Sequence, residues 1–230
     1  MKKLFNILFF ISTCIWMTSC EVDNYEEPDA TLTGTVIDAT TGKGLITEQP
    51  NGFLIYYKEI AAEYPSAQFR TFQGKADGTF NNSKLFAATY EVYPGLGAFV
   101  VPDVQTVKLS PGSETTVNFT VTPYVSISNV SMTKAGSNAL TVQFTLSKNA
   151  GTIQDYRIFA TNKTPLVGSN ITDNVGGGAV ALQESDLGMS ISVDLSGFET
   201  GYKYWVRVGA RCNEAPSGRY NMSEVFEIQF

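Results

Sequence analysis

The side chains of this 230-residue chain that could do chemistry are its 22 carboxylates, its three cysteines and its aromatic rings, because it contains no histidine. Without imidazole there is no Ser-His-Asp triad, no Cys-His pair, no histidine-ligated zinc and no histidine pH switch. A glycosidase needs only two facing carboxylates, but no Asp or Glu stands apart from turns and strand ends. We therefore expect a protein that is not an enzyme, with no catalytic residue, no metal site and no cofactor.

The charge balance is acidic. Sixteen Lys and Arg against 22 Asp and Glu give a formal charge of −6. Binding to a phosphate backbone needs a basic face, so nucleic acid is not expected as a partner. With 43% hydrophobic and 17% charged residues, the chain can build hydrophobic cores.

The first twenty residues have the pattern of a secretion signal. Lys2 and Lys3 give a basic start, and residues 4–17 form an apolar stretch too short to span a bilayer. The stretch leads into Thr18-Ser19-Cys20, which resembles the bacterial lipobox, in which the cysteine is diacylated and becomes the first mature residue. Met17 stands where that motif prefers Leu. The prediction is a lipoprotein signal peptide at 1–19 and lipidation of Cys20.

Two alternatives remain open at this end of the chain. Thr13-Cys14 is a rival lipobox, although its apolar stretch is very short and Thr13 stands where Gly, Ala or Ser is usual. An ordinary secreted protein with a structural Cys20 also fits the composition. Under the preferred cleavage, Cys212 is the only free thiol, so no internal disulfide can form.

Residues 20–30 are the predicted lipidated cysteine and an acidic tether. The tether carries five acidic residues and no basic one, so it is expected to be extended rather than packed. It resembles the acidic stretch after the lipid cysteine of surface-exposed Bacteroidetes lipoproteins, although a plain solvated linker explains it equally well. The expected location is the outer membrane, with the protein anchored through Cys20 and facing the cell exterior.

Residues 31–122 predict a first all-β domain. Short apolar runs alternate with turn clusters such as 38–44 and Asp77-Gly78, a pattern that indicates a sandwich. Several segments resemble carboxypeptidase-regulatory-type domains, with Ala88 in place of a usual glycine: 33–38, 41–45, 77–80 and 88–92. The resemblance implies a scaffold without an active site.

Residues 124–230 predict a second all-β domain after the junction at Pro123. Six strands are evident and a seventh is placed near 179–182. Residues 198–208 resemble the sixth strand of fibronectin type III domains, which implies that Tyr204 is a tyrosine-corner residue with its hydroxyl tied to backbone. The expected fold class is all-β, with two tandem β-sandwiches of immunoglobulin-like or fibronectin-like type.

The whole arrangement resembles a family of Bacteroidetes surface lipoproteins of unknown function that accompany outer-membrane glycan uptake systems of the starch-utilisation type. The resemblance implies binding of a polysaccharide or oligosaccharide, with an outer-membrane transporter complex as a partner. A second hypothesis is a structural or adhesin-like surface component that assembles through β-strand exchange. A third is a hydrolase, which needs two carboxylates in a deep cleft.

Strand alternation predicts where a ligand would be touched. If Tyr204 faces the core, Trp205 and Arg207 face outward, and Arg157 and Phe159 do so on the neighbouring strand. An indole beside guanidinium groups suits sugar rings, which present apolar C–H faces and hydroxyls. These four residues are the predicted ligand-binding face, unless the first domain or a loop covers Trp205, since large apolar side chains are rarely left bare.

Overall fold

The computed structural model describes residues 27–61, 66 and 68–230. The predicted signal peptide, Cys20 and the tether up to residue 26 lie outside these described residues. Within them, no helix has the length and apolar character needed to cross a membrane.

The first half of the chain forms two facing sheets. Its strands are β1 (Ala30–Asp38), β2 (Leu54–Ala61), β3 (Arg70–Gln73), β4 (Thr79–Leu85), β5 (Thr89–Gly95), β6 (Phe99–Val100), β7 (Gln105–Lys108), β8 (Glu114–Thr116) and β9 (Phe119–Pro123). One sheet has the order β4-β1-β9-β6 with β8 also paired to β1, and the other has the order β3-β2-β5-β7. Strand β1 is antiparallel to β4 and parallel to β8 and β9.

Period-2 alternation explains how these sheets bury one face. Along β1, Ala30, Leu32 and Val36 are fully buried while the residues between them are partly exposed. Gly34 continues the buried row, because a Cβ there would lie 1.7 Å from the carbonyl oxygen of Val117. The core between the sheets is completed mainly by phenylalanines: Phe53, Phe80, Phe99 and Phe119.

The second half forms another pair of sheets. Its strands are β10 (Val125–Lys134), β11 (Ala139–Lys148), β12 (Ile153–Thr161), β13 (Val180–Ala181), β14 (Ser190–Ser196), β15 (Lys203–Cys212), β16 (Asn221–Met222) and β17 (Phe226–Gln229). Three single 3-10 turns lie at Asn174–Gly176, Glu184–Asp186 and Pro216–Gly218. The sheets have the orders β10-β11-β14 and β13-β12-β15-β16, with β17 also paired to β15.

The alternation predicted for β12 and β15 is confirmed. Tyr204, Val206 and Val208 enter the second core and meet Tyr156, Ile158 and Ala160 from the neighbouring strand. The hydroxyl of Tyr204 accepts a hydrogen bond from the backbone N–H of Glu199 at 3.2 Å, which confirms the predicted tyrosine corner. The fold is therefore all-β, with two β-sandwiches in tandem, as the sequence predicts.

Candidate ligand-binding cleft between the sandwiches

The structure places the predicted ligand-binding residues on one face of the β12-β15 pair. Phe159 lies directly opposite Arg207 in the strand register, and Trp205 lies opposite Thr161. Phe159 is 0% exposed and Arg207 only 3% exposed, however, so the prediction that they form an open face is wrong.

The first sandwich and a loop of the second cover this face. Phe159 belongs to a separate apolar cluster with Val167, Tyr220 and Met222, and Ile46 from the first sandwich packs against it. Strand alternation decides which side of its own sheet a side chain takes. It carries no information on whether another domain docks on that side, which is why the exposure of Phe159 and Arg207 was predicted wrongly.

Arg207 ties the sandwiches together instead of facing solvent. Its Nη1 donates to the carbonyl oxygens of Thr47 at 3.1 Å and Val167 at 3.4 Å, and its Nε donates to that of Ser223 at 3.1 Å. Burial lowers the pKa of the Arg207 guanidinium to about 10, opposed in part by the charge of Glu48. All of these acceptors are protein groups, so the guanidinium holds the interface and is not available to a ligand.

The other two predicted residues are partly buried. Arg157 lies over the Phe159 ring at 5.3 Å and donates from Nε to the carbonyl oxygen of Gly177 at 3.1 Å. Trp205 donates from its indole nitrogen to Glu227 at 3.1 Å, and Lys203 pairs with the same carboxylate at 2.9 Å. These hydrogen bonds hold the pKa of Glu227 below its usual value. Trp205 and Arg157 thus keep partial access, but at a sheet face that is largely closed by residues of the second sandwich together with Ile46 of the first.

Two further buried polar residues fix the interface, and sequence reasoning missed both. Glu48, only 3% exposed, accepts hydrogen bonds from the N–H of Ser169 at 2.6 Å and from its hydroxyl at 2.8 Å. Asn221 donates to the carbonyl oxygen of Ala98 at 2.7 Å and accepts from the N–H of Val125 at 2.9 Å. Buried polar groups that are satisfied in this way specify one arrangement of the parts they join.

Two cavities lie beside this interface and are both lined by Ile46 and Glu224. The first is a cleft of about 340 Å³ between the loop after β1 and strands β10, β16 and β17. The second is a cleft of about 270 Å³ between residues 46–49 and the loop around 165–167. The first is the larger and lies within the size range of small-molecule sites, roughly 300–1,000 Å³.

The larger cleft is lined by both polar and apolar side chains. Its polar lining includes Asp38, Thr40, Lys43, Ser126, Ser128, Asn129 and Glu224, and its apolar lining includes Leu45, Ile46 and Phe226. The hydroxyls of Thr40 and Ser126 lie 3.3 Å apart, one from each sandwich. This lining suits a ligand that offers both apolar faces and many hydroxyl groups.

A β-bulge shapes one wall of this cleft. Between Ser128 and Ser131, β10 has one residue more than β11 opposite it, and Asn129 adopts a φ of 52°. Asparagine tolerates this left-handed conformation better than most non-glycine residues. Bulges redirect side chains and are frequent near functional sites. The bulge brings Asn129 and Val130 into the cleft lining.

Two of the carboxylates that line the clefts, Asp38 and Asp77, are engaged in turns. Asp38 accepts from both the N–H and the hydroxyl of Thr40 at 2.7 Å. Asp77 in the second cleft accepts from Thr79 in the same way, which lowers the pKa of Asp77 below its usual value. A glycosidase acid needs a raised pKa, so the geometry of Asp77 suits a turn and not proton donation.

Reactive-thiol and metal chemistry find no support in the described residues. No group of three or more Cys, Asp or Glu in this part of the chain could hold a metal ion. Cys212 is 1% exposed in the second core, and burial raises the pKa of its thiol to about 11. Cys212 therefore packs as a small apolar side chain.

No protein-family model and no curated protein matches this chain. Solved structures from Bacteroides and Parabacteroides species have the same fold. A DUF3823 family protein from Bacteroides uniformis superposes with a TM-score of 0.73 at 22% identity, covering 88% of this chain and 100% of that one. A second structure from Bacteroides uniformis is described as a candidate carbohydrate-binding protein. It superposes with a TM-score of 0.72 at 23% identity, covering 88% of this chain and 100% of that one.

A DUF3823 family protein from Parabacteroides merdae gives a TM-score of 0.71 at 20% identity, with 89% of this chain and 100% of that chain covered. The match extends over both sandwiches, since it takes in nearly all of each chain. The tandem β-sandwich is therefore an architecture that this chain shares with DUF3823 family proteins.

Proposed function

We propose that this protein is a lipid-anchored cell-surface protein that binds a glycan, without catalysis, in the larger cleft between its sandwiches. The observation that carries the proposal is the composition of that cleft, where hydroxyl, amide and charged side chains lie beside apolar ones that include Phe226. Sugar-binding sites need this combination, because a sugar ring has an apolar face and a rim of hydroxyls. The similar structure described as a candidate carbohydrate-binding protein supports the same ligand class.

The fixed geometry of the cleft also supports this proposal. Its two walls belong to different sandwiches, which Arg207, Glu48 and Asn221 hold together through buried hydrogen bonds. A preformed site loses less conformational entropy on binding than one that must be assembled. A cleft held in this way suits recognition better than an open loop surface.

We also propose that the chain is a member of the DUF3823 family, whose architecture it shares, and that it acts at the cell surface. Lipidation at Cys20 would anchor the protein in the outer membrane, with both sandwiches facing the cell exterior. There the protein would act as an accessory of a polysaccharide uptake complex. The support is the sequence pattern around Cys20 and the Bacteroides source of the similar structures. Metabolic labelling with palmitate, compared between the wild type and Cys20→Ser, tests the anchor, and equal labelling would contradict it.

Nothing in the described residues favours the adhesin-like alternative. Strand exchange would be supported by an unpaired first strand or a displaced last strand. Instead β1 pairs with β4, β8 and β9 of its own chain, and β17 pairs with β15.

A panel of soluble polysaccharides, measured by calorimetry or affinity electrophoresis, tests the glycan proposal. We expect at least one polysaccharide to bind, and the double variant Lys43→Ala with Asn129→Gly to bind it about tenfold or more weakly, since two polar contacts are removed. Lys108→Ala, an exposed lysine on β7, is the matched control. Binding of no polysaccharide, or equal loss in the control, contradicts the proposal.

A further inference from the structure

A third cavity, of about 230 Å³, lies in the first sandwich and shares no lining residue with the interdomain clefts. It opens where the edge strands β3 and β4 of the two facing sheets lie side by side. Further along this edge Phe72 and Phe80 close the sandwich, with ring centroids 6.2 Å apart. The cavity is therefore a notch in the sandwich edge.

Aromatic side chains form the floor and rim of this notch. Tyr57 and Tyr90 lie beneath it with ring centroids 6.1 Å apart. The Tyr90 hydroxyl donates to the carbonyl oxygen of Phe86 at 3.0 Å, which fixes the start of β5 against the end of β4. Phe86 itself is 53% exposed at the rim. At this exposure the Phe86 ring can contact a ligand held in the notch.

Three charged side chains line the same notch: Glu59, Arg70 and Lys84. None of them takes part in an ion pair within the described part of the chain, whereas the neighbouring Lys58 pairs with Glu91 at 2.7 Å. Their charges sum to +1 in a chain whose formal charge is −6. An excess of positive charge among these three lining residues favours a ligand with one negative charge.

The size and chemistry of the notch restrict the ligand further. Its volume is below the roughly 300–1,000 Å³ of sites for larger ligands, so it fits one ring of a glycan rather than a chain segment. Arg70 can hold a carboxylate through two parallel hydrogen bonds. The Glu59 carboxylate can accept from ring hydroxyls but opposes a doubly charged phosphate.

We propose that this notch is a second binding site, specific for a carboxylate-bearing sugar residue, a hexuronate. Arg70 and Lys84 bind the carboxylate, Glu59 accepts from a hydroxyl, and Tyr57 and Phe86 contact the apolar ring face. The inference rests on the proposed function only in taking a sugar as the ligand, because the two sites share no residue.

Titration of the protein with D-glucuronate and with D-glucose, at equal ionic strength, tests the inference. We expect glucuronate to bind at least about tenfold more tightly than glucose, since the carboxylate supplies charge-assisted hydrogen bonds. Arg70→Gln with Lys84→Gln should remove this preference, and added salt should weaken it. Lys108→Gln is the control for loss of one exposed positive charge.

Equal affinity for the two sugars in the wild type overturns the inference, and so does a preference that survives in the Arg70→Gln, Lys84→Gln variant. The Asn129→Gly variant distinguishes binding at the notch from binding in the interdomain cleft. It should leave glucuronate binding unchanged, and loss of that binding would assign glucuronate to the cleft. If no neutral polysaccharide of the panel binds while the preference for glucuronate is intact, the cleft proposal alone is overturned.

Discussion

The Tyr204 hydroxyl shows how one atom contributes to the second sandwich. Tyr204 is 3% exposed and packs edge-on to Phe198 and Phe230, with ring centroids 5.0 and 5.7 Å away. Its hydroxyl accepts from the Glu199 N–H, which joins the chain before β15 to the strand itself. Because Phe198 and Phe230 stack on each other at 4.3 Å, the corner also holds Phe230 in the core.

Replacement of Tyr204 by Phe tests this contribution. The variant keeps the ring but leaves the Glu199 N–H without its partner, so we expect the free energy of unfolding to fall by about 1–2 kcal/mol. Tyr202→Phe is the control, because Tyr202 is 52% exposed, and it should change stability by less than ~0.5 kcal/mol. Urea unfolding of both variants gives the comparison, and equal effects would count against the corner.

At the scale of elements, the β10 bulge converts a regular strand into a wall of the cleft. The pairing of β10 with β11 is regular from Val125 to Ser128 and again from Ser131, with the irregularity between them. Asn129 accepts the left-handed backbone that the bulge requires. The bulge therefore joins local backbone geometry to the lining of the proposed binding site.

A matched pair of substitutions at Asn129 separates backbone from side chain. Asn129→Val puts a β-branched residue at φ 52° and should lower stability by about 1–3 kcal/mol. Asn129→Gly tolerates that φ and should stay within ~0.5 kcal/mol of the wild type while losing the amide from the cleft. Thermal unfolding of the two variants measures the difference, and equal melting temperatures would mean that the bulge exerts no strain.

At the scale of the whole molecule, the sandwiches are joined by a covered sheet face. Ile46 packs against the apolar cluster on this face, and the Arg207 guanidinium reaches Thr47 of the first sandwich beside it. Burial disfavours the charged form of Arg207, as its lowered pKa indicates. Hydrogen bonds to three carbonyl groups offset this desolvation.

Arg207→Met tests this coupling. The methionine stem retains much of the packing but leaves three carbonyl groups without their donor, so we expect a loss of about 2 kcal/mol and a calorimetric trace that separates into two transitions. Arg157→Met, which removes one partly exposed hydrogen bond, should lose less than about 1 kcal/mol. A single transition at the wild-type temperature in Arg207→Met would show that the sandwiches are coupled by other contacts.

The sequence by itself determined the all-β fold class and the core-facing residues of β12 and β15. It also placed the tyrosine corner, through the resemblance of the β15 segment to fibronectin type III strands. Alternation and turn residues carry this information because they depend on neighbours one or two positions away. Strand alternation in the sequence also placed Phe159 and Arg207 correctly on the face opposite the second core.

Only the tertiary structure decided that this face is closed. Two of the covering residues, Ile46 and Thr47, lie more than a hundred positions earlier in the chain, and no local pattern around β12 or β15 refers to them. The notch near Arg70 likewise depends on two edge strands from different sheets meeting side by side. Docking between distant segments depends on surface complementarity, which single-strand periodicity does not encode, so the binding surfaces could be found only from the folded chain.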